Sequence, residues 1–365
     1  MKHILYLIIS FAIIACGEHN TANNTTKSIR KQRWNLASSF PKSLNSFWDR
    51  IEGFSTQVTA TTNKELTIKC YQPGEMVPAL EVFDAVSQGS IEMGVTAGNY
   101  YMGKNNAFVL DTGLPFGLTC QQKNAWLYEA GGLELIQNLY KKYNIMYFPI
   151  GNTTTQMGGW FRNEITSLED LQGLRVRISG LGGKVYDKMG ATVQMIGGGE
   201  IYSALEQGSI DGAEFVGPYD DEKFGFQNVA KYYYAPGWQE PGATIALYIN
   251  LERWMTLSTN AQEIIAMAAK NANLLFAARY DKENPAALKR LIDQGVELRH
   301  FPNEILAEAK KQTDLLIKEY CKDPEFNTIY TSIKKFKETS NAWSKANALH
   351  YINFTTTGIQ YYETD

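Results

Sequence analysis

The sequence predicts an α/β protein of two lobes that face each other across a cleft, and three observations carry that prediction. The chain has 365 residues, more than one hydrophobic core comfortably serves, which favours two domains. Its opening segments read strand, helix, strand, the order that goes with parallel pairing. Residues 81–92 (EVFDAVSQGSIE) recur 119 positions later as residues 200–211 (EIYSALEQGSID), identical at six positions and close at four more. In each copy apolar residues at helical spacing run into a glycine, Gly89 or Gly208, that suits a left-handed helix stop, and an isoleucine then starts a strand. One helix-turn-strand module is used twice, once per lobe. No period of about 20 to 50 residues recurs, so a solenoid is excluded.

In order, residues 33–54 predict a short strand and a helix with Leu44, Phe47, Trp48 and Ile51 on one face, and residues 65–71 alternate as a strand. After the first module, GVTAGNYYMGK and VLDTGLPFGL read as loops at strand ends, the first carrying Tyr100 and Tyr101. Residues 123–142 predict one amphipathic helix and 145–150 a strand, near which the chain crosses to the second lobe. The strand at 243–250 precedes a long helix at 258–294, about 55 Å if continuous. That length braces both lobes; Pro285 breaks or kinks it and Gly295 stops it. Helices at 303–318 and 332–348 follow. The expected partition is 31–150 with part of 243–295 for the first lobe, 151–242 with part of 296–322 for the second, and an aromatic, amphipathic tail at 323–365 that needs a surface to cover.

At the N-terminus, Lys2-His3 precedes an apolar run from Ile4 to Ile14 and then Ala15-Cys16. This predicts a signal peptide at 1–15 that is too short to serve as a membrane span. A small residue before Cys16 resembles the bacterial lipobox, which implies a lipid on Cys16, a tether at 16–30 and an extracytoplasmic location. Cleavage moves the net charge from -3 to -4, and nothing basic is left to suggest a nucleic-acid partner. Cys70, Cys120 and Cys321 form no CxxC or Cys/His cluster, so a disulfide between two of them and buried free thiols both stay open.

Residues 151–219 concentrate the chemistry. Arg175 and Arg177 share one strand face, so alternation cannot choose which guanidinium meets a carboxylate with its planar fork. Gln156, Glu214 and Glu240 offer oxygen to a hard cation. No DxDxDG, HExxH or Cys/His motif is present. Glu214 and Glu240 also have the composition of a hydrolase carboxylate pair. The four histidines all lie outside this stretch, neither GxSxG nor a Walker loop occurs, and the glycines at 180–183 and 197–199 have the spacing of tight turns.

Together GNTTTQMGGWF, LEDLQGLRVRISGLGGKVYDKMGA and SIDGAEFVGPYDD resemble the substrate-binding proteins of tripartite ATP-independent periplasmic (TRAP) transporters, within them the branch that binds 2-oxoacids or lactate. The resemblance runs from about Trp34 to the C-terminus. It implies a periplasmic-binding-protein-like fold, a binding role rather than catalysis, and membrane subunits of a transporter as partners. The ligand would be a small 2-oxo or 2-hydroxy monocarboxylate, paired to Arg177 and enclosed by Gln156, Tyr100, Tyr101 and Phe215. A bridging cation would be held by Gln156, the Glu214 carboxylate and the carbonyl of residue 215, with Glu240 a further ligand in some relatives. Position 215 is Phe where Trp is common in the branch, which leaves a smaller ring against the ligand. Charge balance favours sodium slightly over calcium with Glu214 alone, and a divalent ion once Glu240 joins. The branch also implies a homodimer through the C-terminal tail; the lipobox departs from its usual soluble member.

Overall fold

The computed structural model describes residues 31–357. The signal peptide, the tether, Cys16 and the last tail residues, including Tyr361 and Tyr362, lie outside them. The chain runs through β1 (Gln32–Ser38), α1 (Asn45–Thr61), β2 (Leu66–Tyr71), α2 (Val82–Ser87) and β3 (Met93–Thr96). Then come α3 (Val109–Thr112), α4 (Cys120–Glu129), α5 (Gly132–Lys141) and β4 (Ile145–Asn152). β5 (Gly159–Phe161), β6 (Arg175–Arg177), α6 (Gly180–Lys188), β7 (Thr192–Gln194), α7 (Ile201–Glu206), β8 (Gly212–Ala213), α8 (Pro218–Phe224) and β9 (Tyr232–Ala235) follow. The remainder is β10 (Thr244–Asn250), α9 (Leu251–Met255), α10 (Thr259–Asp293), β11 (Glu297–His300), α11 (Asn303–Tyr320), α12 (Pro324–Ala346) and α13 (Ala348–Thr356).

Two mixed sheets result, ordered β2-β1-β3-β10-β4 and β7-β6-β8-β5-β9-β11. They are built alike. In each, a first strand pairs in parallel with two neighbours, and an antiparallel strand, β10 or β5, is inserted before the next one. The 119-residue echo carries into three dimensions: α2 and α7 have equivalent bounds, each follows a single 3-10 turn (Ala79–Glu81, Gly198–Glu200), and Gly89 and Gly208 turn at φ 77° and 67°. The strands start two residues later than the repeat suggests, at Met93 and Gly212, because Ile91 and Ile210 are used as buried plugs.

Two apolar clusters hold the structure together, and each draws on both sheets. β10 shows how: Ile245, Leu247 and Ile249 enter one cluster, Ala246 and Tyr248 the other. α10 packs on β4, α1 and α8, so it touches elements attached to both sheets. At its crossing with the first sheet, a Cβ on Gly151 would lie 2.6 Å from the Phe276 ring, so only glycine admits the helix at this distance. Of the two expected effects of Pro285, a break does not occur: α10 runs through it to Asp293. It sits on the exposed side, where the carbonyl one turn back that lacks its N–H is open to solvent. The expected single helix at 123–142 is two, interrupted by Gly131 at φ 79°.

The last expected helix also starts earlier. Asp323 accepts from the Glu325 and Phe326 N–H groups and Pro324 occupies the first position, which opens α12 well before Ser332. Its first half buries Phe326, Ile329 and Ile333 against α3, α4 and α5. Beyond it Trp343, Leu349, Tyr351, Ile352 and Phe354 are exposed. Among the described residues no helix is long and apolar enough to cross a membrane, and the three cysteines are free thiols.

Candidate functional site: a buried arginine between two carboxylates

Strand ends from both sheets converge on one narrow cavity with about 20 Å³ of free volume. β6 ends on Arg177, β8 runs into Phe215, β3 leads to Asn99 and Tyr100, and β4 leads to Thr153 and Gln156. The loop between β9 and β10 brings Glu240. Side chains collect here because the strands' carboxyl ends, where sheets of this kind bind ligands, point at each other.

Arg177 is 1% exposed. Its Nη1 donates to the Glu214 carbonyl at 2.5 Å and lies 3.6 Å from the Glu214 carboxylate; its Nε donates to the Ile196 carbonyl at 3.2 Å. The Phe215 ring faces the guanidinium at 5.7 Å. Arg175, which alternation left as the competitor, forks instead onto Asp211 with bonds of 2.6 and 2.9 Å and is half exposed. What separates the two is position along the strand: Arg177 ends it at the cavity, Arg175 starts it at the far edge.

Asn99 ties the lobes together, since its Nδ2 donates to the Ser179 hydroxyl at 3.1 Å and to Glu240 Oε1 at 2.5 Å. The Gln156 amide donates to the Thr153 hydroxyl at 3.0 Å. Four buried polar atoms here have no hydrogen-bond partner among the described residues: Arg177 Nη2, Glu214 Oε1, Gln156 Oε1 and Asn99 Oδ1. Each would cost about 1–3 kcal/mol if left unsatisfied. One strong donor and three acceptor oxygens match a carboxylate ligand and a hard cation. No group of three His, Cys, Asp or Glu side chains suited to a metal occurs among the described residues, so an ion here would need the amide oxygens of Gln156 and Asn99 as well as the Glu214 carboxylate. Glu240 and Gln156 line the cavity, whereas Glu214 is not among its lining residues and meets it through Arg177.

Burial pushes the Glu214 carboxyl well above its ordinary range, Glu240 raises it further, and Arg177 opposes both. Burial likewise raises Glu240 to about 7, against the pull of Arg177. The Tyr100 hydroxyl, desolvated, is raised to about 12 and is neutral.

Of the expected site residues, Gln156, Arg177, Phe215, Glu240 and Tyr100 reach the cavity. Tyr101 does not. It is packed in the core beside Phe83, with its hydroxyl 2.9 Å from Thr96 Oγ1. The two tyrosines occupy a 3-10 turn, Gly98–Tyr101, in which successive side chains diverge by a third of a turn, so only one of them can face the cavity. Sequence reasoning missed Asn99, Thr112, Thr153, Ser179 and the apolar end formed by Phe40, Phe47, Ala97 and Ile245. Asn99 and Ser179 each directly precede a glycine or tyrosine after a strand, a signal too common to single them out.

The fold agrees with that of known proteins. A curated relative from Nostoc, named a monocarboxylate 2-oxoacid-binding periplasmic protein, is 43% identical over 94% of both chains. A TRAP transporter solute-binding protein from Bordetella bronchiseptica, solved as a mixed-occupancy dimer with copurified calcium and picolinate, is 41% identical with TM-score 0.88, over 90% of this chain and 98% of that one. A TRAP periplasmic solute-binding protein from Pseudoalteromonas atlantica, solved with sodium and pyruvate, is 36% identical with TM-score 0.86, over 88% and 99%. The model of family 7 of the bacterial extracellular solute-binding proteins matches residues 38–323, and this chain belongs to that family.

Proposed function

We propose that this protein is the solute receptor of a TRAP transporter and binds a small 2-oxo or 2-hydroxy monocarboxylate together with a cation. The observation that carries the reading is the set of unpaired atoms around Arg177: a guanidinium donor for the carboxylate, and oxygens of Gln156, Glu214 and Asn99 beside it. One end of the cavity, formed by Phe40, Phe47, Ala97 and Ile245, is aromatic and aliphatic, which suits a short alkyl end better than the hydroxyls of a sugar acid. The cation is held by Gln156 Oε1, the Glu214 carboxylate and the Phe215 carbonyl, with Glu240 as fourth ligand when ionised. Its identity follows from Glu240. Arg177 balances the ligand, so Glu214 alone matches sodium and an ionised Glu240 matches calcium.

The protein acts outside the cytoplasm, anchored through a lipid on Cys16, and pairs with a second copy through its tail. One relative of this family is a dimer, and the exposed apolar residues of α12 and α13 are the surface such pairing would cover. Native mass spectrometry of the purified protein with pyruvate tests the reading. One acid and one ion retained per chain, in a dimer and without turnover, is the expected result. A product formed catalytically, or no uptake of any short 2-oxoacid, overturns it.

A further inference from the structure

Away from the cavity, a second polar contact joins the lobes. Asp220 on α8 is fully buried and accepts 2.5 Å hydrogen bonds from the Ser46 hydroxyl, in the first turn of α1, and from the Tyr280 hydroxyl on α10. α1 follows a strand of the first sheet and α8 a strand of the second, so the Ser46 bond crosses between lobes. α1 begins with no side-chain cap and no acid in its first turn. Asp220 supplies the acceptor that holds the Ser46 hydroxyl at that helix start, and it does so from the opposite lobe. Beside it, the Tyr219 hydroxyl donates to Asn45 Oδ1 at 3.1 Å and the Lys223 ammonium reaches the same oxygen.

Both sides of this seam lead straight to the ligand cavity. Phe47, next to Ser46, lines one wall; Phe215 and Val216 line another. Asp221, next to Asp220, accepts from the Trp160 indole at 3.0 Å, the Tyr233 hydroxyl at 2.7 Å and the Val216 N–H at 3.4 Å. The short helix α8 therefore holds the ligand loop with one carboxylate and the opposing lobe with the next.

We propose that Asp220 is a positioning residue for ligand retention: its bond to Ser46 forms as the lobes meet and slows their reopening, which prolongs the residence of the bound acid. The proposal rests on the receptor reading above, in which the lobes close on a ligand. Opening at this seam removes one of the two hydroxyl donors from a carboxylate with no cation nearer than Lys223 at 3.9 Å. That loss falls on the departing complex. The encounter between ligand and open cleft does not involve it.

The test is stopped-flow fluorescence with pyruvate on the full-length protein and on Ser46→Ala and Ser46→Thr. Losing one hydrogen bond to a charged group predicts release about 10-fold faster in Ser46→Ala. The association rate and the melting temperature of the ligand-free protein should be unchanged, and Ser46→Thr, which keeps the hydroxyl, should restore slow release. Release unchanged in Ser46→Ala, or a ligand-free melting temperature that falls alongside an unaltered release rate, overturns the proposal. If wild-type protein gives no calorimetric signal with pyruvate or any other short 2-oxoacid, the receptor reading itself falls and takes this with it; wild-type binding with unaltered Ser46→Ala release removes the latch alone.

Discussion

Arg177 is a buried cation whose neighbours are two buried acids, so it cannot be removed without leaving charge uncompensated. Arg177→Ala should weaken pyruvate binding at least about 100-fold by calorimetry, the cost of breaking a buried ion pair. Glu240 sets a pH dependence. A proton and a cation compete for this carboxylate, which burial raises to about 7. Calcium affinity should therefore fall as pH drops through that value, and Glu240→Gln should flatten the dependence and favour sodium; calcium titrations at about pH 6 and about pH 8 check both. Tyr101→Phe should cost about 1 kcal/mol in denaturant melts and leave affinity unchanged, because its hydroxyl serves the core. Gln156 and Arg177, both singled out from the sequence, lie on the cavity wall because one ends β6 and the other follows β4 by four residues. Tyr101 was misread because a 3-10 turn and a loop have the same composition, and Asn99 was missed because its role depends on Glu240, 141 residues away.

Among elements, α10 has a built-in weakness that its surroundings tolerate. Pro285→Ala should raise the melting temperature by a few degrees, since proline costs a helix interior up to about 3 kcal/mol and the exposed position loses no packing. Repeat, braces and most strands could be read from periodicity and glycine placement. The break at Gly131 could not, because residues on both sides keep helical spacing and only the backbone turn interrupts them. Sheet order was also illegible: β10 pairs with β3 and β4 across some 100 to 150 intervening residues, and no local pattern encodes such a partner.

At the scale of the molecule, the first half of α12 is core, so deleting residues 343–365 should leave a folded protein, and under the proposed pairing through the tail that deletion should convert a dimer to a monomer by light scattering. The interleaved sheets have a different consequence, for the order in which the chain can acquire its structure. β3 and β4 never touch; β10, made almost 100 residues after β4, fills the gap between them. The second sheet has all strands but β11 once β9 has emerged. The half synthesised first is thus still split when all but one edge strand of the other half has been made, and until Asn250 is in place it carries two open strand edges in its middle. A fragment ending before β10 should stay unfolded by circular dichroism even though it contains most of the first lobe, and mixing it with the complementary piece should restore structure. Its maturation belongs to the whole chain, a demand that any machinery delivering it must meet by keeping the early half unpaired.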